Sequence, residues 1–359
     1  RTLLEEAQAF FVDRLAGADG AAARRELERR GFARATWAEF GFGWAPDDWR
    51  QLTDELGRRH PAGTLIAAGL SVQPDSRSSP YDRFRKRITF PIRSVDGRLV
   101  AFGGRILGEG EPKYLNSPEN PIFQKRSTLF CLERARRPAD EVGELLVVEG
   151  YFDCLSLHRV GITNAVATLG TALTPDHARL LRRRLGGGDR VVLCYDADDA
   201  GRRAAMTGIR VLLEAGVDVA VLVLPDGTDP DDVVRSGGAE AVRELLTRPA
   251  SALEFLLAGL PEQPEAARRE GLKLAPLVCS ASNAAVRQNL VEELARRLYL
   301  RPRDIEEHGR APGRREGAPP QRRAVAARSA APGERHLARI LLEGTPEWRH
   351  RVLERVRPE

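Results

Sequence analysis

Apolar positions at Leu3, Leu4, Ala7, Phe10 and Phe11 recur with helical period and predict a helix over residues 2–15. A second helix, 21–30, includes Leu27 and meets Gly31, a plausible C-cap. The next stretch, FGFGWAPDDWRQL, mixes aromatics with Gly and Pro and reads as a loop leading into a short helix from Asp47. Residues 87–106 hold two apolar runs around Asp96-Gly97, the pattern of a hairpin. The polar PKYLNSPENPIFQKRSTLF that follows lacks periodicity and reads as an ordered loop or a binding surface.

From Glu144 the pattern changes. LLVVEG, ITNAVATLG, VVLCYD and VDVAVLVLP read as strands, separated by helices at YFDCLSLHRVG (closed by Gly161), TPDHARLLRRRL (capped by Thr174, with Pro175 at its first position) and AGRRAAMTGIRVLLEAG. Strand–helix alternation of this kind predicts a parallel, doubly wound sheet. Residues 240–307 look wholly helical. Residues 309–333, rich in Arg, Ala, Pro and Gly, read as a flexible basic linker, and a further helical unit begins at 334.

The 359 residues suffice for two or three domains. No run of eighteen apolar residues occurs, so nothing is expected to span a membrane, and RTLLEEAQAF lacks the apolar core of a signal peptide. The chain does not start with Met and reads as a piece of a longer protein. Cys131, Cys154, Cys194 and Cys279 stand far apart in sequence, among apolar neighbours and without a CxxC pair. They read as buried free thiols rather than a zinc site, and the six histidines do not cluster along the chain. The net charge of +5 is unevenly placed: from Arg77 to Arg137, fourteen Lys or Arg face six Asp or Glu, and the acids come later.

Those acids sit where strands end. LLVVEG delivers Glu149, VVLCYDADD delivers Asp196 and Asp198, and VLVLPDGTDPDD delivers Asp226, Asp229, Asp231 and Asp232. In open parallel sheets ligands bind beyond the carboxyl ends of the strands. Each acid alone could be a helix N-cap, but three carboxylates about 5 Å apart repel by on the order of 10 kcal/mol at an effective dielectric of about 20. That approaches the stability of a domain, so the convergence points to a cation. Oxygen ligands without Cys or His favour Mg²⁺ or Mn²⁺, which usually serve phosphate chemistry. Glu149 reads as either a ligand or a general base. Opposite these, Arg83, Arg85, Lys86, Arg87, Arg105, Lys113, Lys125 and Arg126 form a group suited to phosphates, with Arg105 and Lys113 the preferred pair. Gly103-Gly104 would let backbone approach a phosphate.

EGYFD, YDADDAG and LPDGTDPDD together resemble the TOPRIM domain of bacterial DnaG-type primases, and YDRFRKRITFPI, AFGGRIL and PKYLNSPE resemble the basic half of the same core, in order over roughly residues 1–305. The resemblance implies an α/β fold: a basic α+β subdomain at 1–138, a TOPRIM parallel-sheet subdomain at 139–240 and a helical subdomain at 241–308. After the linker, 334–359 resembles only the start of the family's helicase-binding domain, and the family's Cys/His zinc ribbon is absent. The resemblance implies synthesis of short RNA primers on single-stranded DNA from ribonucleoside triphosphates. Carried over by motif, Glu149, Asp196, Asp198, Asp229 and Asp231 are metal ligands. Glu149, Asp196, Asp198, Lys113 and Arg105 serve catalysis. Arg83, Arg85, Arg87, Arg105, Lys113, Tyr114, Asn116, Lys125 and Asp153 contact nucleotide or DNA. Mg²⁺ or Mn²⁺ is the implied cofactor, zinc being expected only on the ribbon. A monomeric core working with template, RNA primer and replicative helicase in the bacterial cytoplasm is expected. The competing readings are a TOPRIM nuclease or topoisomerase-like strand-cleaving enzyme, and a non-catalytic module that binds nucleotide and DNA.

Overall fold

The computed structural model describes residues 2–75, 79–135, 143–186 and 189–310. Nearly all of the expected linker, the whole of 334–359 and the 138/139 boundary lie outside these residues. Residues 1–311 belong to one compact unit.

The first half comprises α1 (Thr2–Ala16), α2 (Ala21–Arg29), α3 (Arg34–Phe40), β1 (Gly43–Ala45), α4 (Gln51–Gly57), α5 (Ala62–Ala67), β2 (Ser71–Val72), β3 (Tyr81–Asp82), β4 (Arg87–Arg93), β5 (Leu99–Ile106) and β6 (Tyr114–Asn116). The hairpin β4–β5 forms as the pattern predicts, closing near Gly97 at φ +78°. Four strands were not expected: β2 and β3, which pair with each other, and two that extend the hairpin. Residues 43–45 pair with β4 and residues 114–116 with β5, giving the antiparallel order β1-β4-β5-β6. The supposed loops are therefore the edges of a sheet, and each is only three residues long, too short to show a period. The short helix starts at Gln51 rather than Asp47, because its first amides are capped from a distance: Asp82 accepts from the amides of Leu52 and Thr53 at 2.9 and 2.7 Å.

The second half follows the predicted alternation: β7 (Glu144–Val148), α6 (Tyr151–Arg159), β8 (Ala165–Ala167), α7 (Pro175–Arg184), β9 (Arg190–Leu193), α8 (Asp199–Glu214), β10 (Asp218–Val221) and α9 (Pro230–Leu246, interrupted at Gly238). Its sheet runs β11-β10-β9-β7-β8, with β10, β9, β7 and β8 parallel and β11 (Ala250–Ser251) an antiparallel edge. Strand order reverses between β7 and β9, the switch point where such sheets bind ligands. The stretch read as wholly helical, 240–307, is so except at β11, whose two residues become strand only by pairing with β10; after it come α10 (Ala252–Leu257), α11 (Pro264–Leu272), α12 (Ala275–Cys279), α13 (Ala284–Leu298) and α14 (Pro302–Gly309).

One apolar core crosses the two halves. Phe32, Phe42 and Phe90 of the first pack against Phe152 of α6, with ring centroids 5.2 to 6.3 Å apart, and Phe90 stacks on Tyr151 at 4.8 Å. Aromatic pairs of this kind bury large areas and prefer defined geometries. They fix the EGYFD segment against the hairpin sheet, and so fix the acids relative to the basic residues.

Candidate metal and phosphate site

Backbone geometry gathers the acids. The loops after β9 and β10 are joined by Ala197 N–H donating to Thr228 O at 3.0 Å and Gly227 N–H to Ala197 O at 3.1 Å. Gly201 lets the start of α8 lie against the end of β9, since a Cβ there would stand 2.1 Å from Asp196 O. Asp198 caps α8 by accepting from the Gly201 amide at 2.7 Å, and Asp229 caps α9 by accepting from the Asp232 amide at 2.7 Å. The capping and site readings of these acids therefore hold together, one oxygen committed to the helix in each.

Charges in this cluster oppose one another. Burial, then Asp196 and Asp198, push Glu149 up to about 7. Burial, then Asp229 and Asp198, push Asp196 up to about 6, and Lys113 opposes the rise. Asp153 is pushed up to about 8 by burial and by Asp229, Asp196 and Asp231. Glu149 Oε1 and Asp196 Oδ1 are buried without a hydrogen-bond partner. Buried carboxylate oxygens without donors are costly, and a hard divalent cation satisfies that need. Glu149, Asp196, Asp198 and Asp229 thus fit such an ion. Among the described residues no three acids bring an oxygen each within 4.8 Å of one another. A shared ion would draw them in by side-chain rotation.

Two acids depart from the expected roles. Asp231 is 2% exposed, receives Arg30 Nη1 at 2.8 Å and Ser156 Oγ at 2.5 Å, and has both oxygens occupied. It locks α9 to α2 and α6 and does not fit the metal-ligand role. Asp153 accepts from the Gly150 amide at 2.9 Å as the third residue of α6 and lies buried beside the acids, so it is not placed to touch nucleic acid. Asp226 is exposed, and Asp232 reaches Arg235 at 3.4 Å.

The basic residues divide as well. Lys113 is exposed, with its charge felt at Asp196. Arg105 donates to Tyr114 Oη at 2.8 Å and lies 5.4 Å from the ring centroids of Tyr114 and Phe152. Arg87 is buried, its guanidinium donating to the carbonyls of Gly104, Pro112 and Lys113. It holds the Lys113 loop rather than a phosphate. Arg83 donates to Asn116 O at 2.9 Å, while the Asn116 side chain bonds Tyr151 Oη and Leu169 O. These two brace β6 against the parallel sheet. Lys125 is half-buried, with its carbonyl bonded to His177 Nε2 at 2.7 Å. Gly103 and Gly104 make room for Tyr151 and Phe84, where a Cβ would stand 2.4 and 2.8 Å from the rings; packing, not phosphate approach, needs them.

Trp49, 62% exposed, was missed from sequence. Arg85 lies 4.2 Å from its ring centroid, and Tyr81 meets its edge at 5.2 Å. The signal was a tryptophan in a polar Gly/Pro-flanked segment, and its partners come from thirty residues away. Cys131, Cys154 and Cys194 are buried free thiols as read, Cys279 is half-buried, and Cys131 and Cys154 meet His158 in the fold.

Acidic strand ends at the switch point of a parallel sheet, faced by a basic antiparallel half, define a Toprim-type protein with a site for a divalent cation. Residues 10–136 match the family described as DNA primase catalytic core, N-terminal domain, and residues 146–234 match one described as Toprim-like. The chain belongs to the bacterial DnaG-type primase catalytic core family. It is 44% identical over 235 residues to a DNA primase of Clostridium acetobutylicum, covering 65% of this chain and 38% of that protein. It is 38% identical over 307 residues to the DNA primase of Escherichia coli K12, covering 83% and 52%. The chain therefore spans about half or less of these relatives' length. A DNA primase domain from Pseudomonas aeruginosa superposes with TM-score 0.79 at 35% identity, covering 86% of this chain and 98% of that one. A DnaG primase catalytic domain bound to ssDNA gives TM-score 0.74 at 36% identity, covering 84% and 97%.

Proposed function

We propose that this chain is a DNA-dependent RNA polymerase that makes short RNA primers on single-stranded DNA from ribonucleoside triphosphates. The observation that carries the reading is the meeting of opposite charges across the two halves: Lys113, on a loop held by Arg87, lies within electrostatic reach of Asp196 at the end of β9. A related catalytic domain whose structure contains ssDNA supports the template class.

Glu149, Asp196, Asp198 and Asp229 would hold Mg²⁺ or Mn²⁺. Such an ion, when bound, supplies charge neutralisation at phosphate and a lower pKa for a hydroxyl. In the reaction the 3′-oxygen of one ribonucleotide bonds to the α-phosphorus of the next triphosphate, the bond to pyrophosphate breaks, and the hydroxyl proton passes to solvent water. Lys113 and Arg105 orient the triphosphate by charge, and the aromatic wall of Tyr114 and Phe152 fixes Arg105. Positioning and fixed charge supply most of the rate in phosphoryl transfer. The template crosses the Trp49–Arg85 face, where bases stack on the exposed ring. A replicative helicase at the fork in the bacterial cytoplasm is the further partner we assign to the whole protein.

Incubation of the chain with single-stranded DNA, labelled ribonucleotides and Mg²⁺ or Mn²⁺ tests the proposal. New short RNA is the expected product. Shortened DNA without RNA would favour the nuclease reading, and tight nucleotide binding without either product would favour the binding module.

A further inference from the structure

Cys131, Cys154 and His158 bring two sulfur atoms and a ring nitrogen within 4.8 Å of one another, away from the carboxylates that serve phosphate chemistry. We propose that they form a second metal site, one that takes a zinc-class cation. Cys154 and His158 are one turn apart on α6, which puts them on one face. Cys131 reaches them from the turn after Phe130, a residue tied to the end of β8 through two backbone hydrogen bonds with Ala167. Both thiols are buried, at 4% and 0% exposure.

The donor set selects the ion. Thiolate and imidazole suit Zn²⁺, whereas the strand-end acids offer only hard oxygens. A tetrahedral zinc centre with Zn–S of about 2.3 Å sets its sulfurs about 3.8 Å apart, compatible with donor atoms that lie no more than 4.8 Å from one another. Ala165 O accepts His158 Nε2–H at 2.8 Å, which orients the ring; its 3.5 Å contact from the Cys154 thiol is given up when that sulfur ionises. His158 lines a cavity of about 730 Å³, so the imidazole edge of the cluster faces it. The fourth position is left to a water, since among the described residues no further His, Cys, Asp or Glu joins the three donors. Binding converts the two thiols to thiolates, with release of two protons to solvent, and no electrons move.

Such an ion would pin the turn at 131–134 to α6, the helix that follows Glu149 directly. It would act as a staple between the basic half and the acidic strand ends.

The test uses the whole chain, reduced, stripped with chelator and titrated with Co²⁺ alone. We expect one cobalt per chain to give an intense near-ultraviolet thiolate-to-cobalt band, which cobalt on carboxylates does not give. Cys131→Ala and Cys154→Val should abolish the band, and Cys194→Ala and Cys279→Ala should keep it. His158→Gln should weaken binding by at least the roughly tenfold typical of losing an outer-shell partner. Zn²⁺ should displace the cobalt and raise the melting temperature of the wild-type chain but not of Cys131→Ala. Absence of the band from the folded wild-type chain, or its persistence in Cys131→Ala/Cys154→Val, would overturn the proposal. So would a Cys131–Cys154 cross-linked peptide in a digest of the chain as purified without reductant, since a disulfide leaves neither sulfur as a thiolate donor.

Discussion

Asp229 and Asp231 flank a single proline and end in opposite environments. Asp229 caps α9 and is half-buried beside the other acids, while Asp231 is held between Arg30 and Ser156. The motif made the acids legible, but not this division, because Arg30 lies 201 residues away. Asp231→Asn should leave divalent-metal affinity within about threefold of wild type and lower the melting temperature; calorimetry of both separates the roles. Arg30→Met, which strands a buried carboxylate, should cost about 3–5 kcal/mol in a urea melt. The same contrast separates Lys113 from Arg87. Lys113→Ala should reduce primer synthesis about a hundredfold with an unchanged melt. Arg87→Leu should reduce synthesis too, but with a loss of about 1–3 kcal/mol of stability, because it leaves buried carbonyls without donors.

At the scale of elements, the strands and helices from Glu144 to Leu246 were readable because apolar runs alternate with helical ones and are punctuated by Thr174-Pro175, Gly161 or Gly201. The edge strands β1 and β6 were not, because three residues become strand only through pairing with β4 and β5. The buried acids of the site set the pH response. Asp196, Glu149 and Asp153 stand at about 6, 7 and 8, above the value near 4 that carboxylates have in an unfolded chain. The folded state thus holds protons that the unfolded state has released. Their stabilising contribution is complete below about pH 4 and is lost as pH rises through 6 to 8. Melts in EDTA should show falling stability across that window. Added Mg²⁺ should restore stability most at the high end, and Asp196→Asn should flatten the profile.

For the molecule as a whole, the charge asymmetry visible in the sequence becomes two faces joined by an aromatic core. That core was not legible, since Phe32, Phe42, Phe90 and Phe152 come from four separate elements or loops. Binding of single-stranded DNA by this surface should weaken with salt, and each phosphate contact removed should reduce the logarithmic slope by about 0.7. Fluorescence anisotropy of wild type and Arg85→Ala across a salt series measures this. The central claim is that the acids at the ends of β7, β9 and β10 drive nucleotide addition. Its most direct test is extension of an RNA primer annealed to single-stranded DNA, with labelled ribonucleotide and Mg²⁺, by wild type and Asp196→Ala at matched folding. The account predicts extension by the wild-type chain and a loss of at least about a hundredfold in the variant. Equal extension by both, or none by wild type at low salt and high protein concentration, would contradict it.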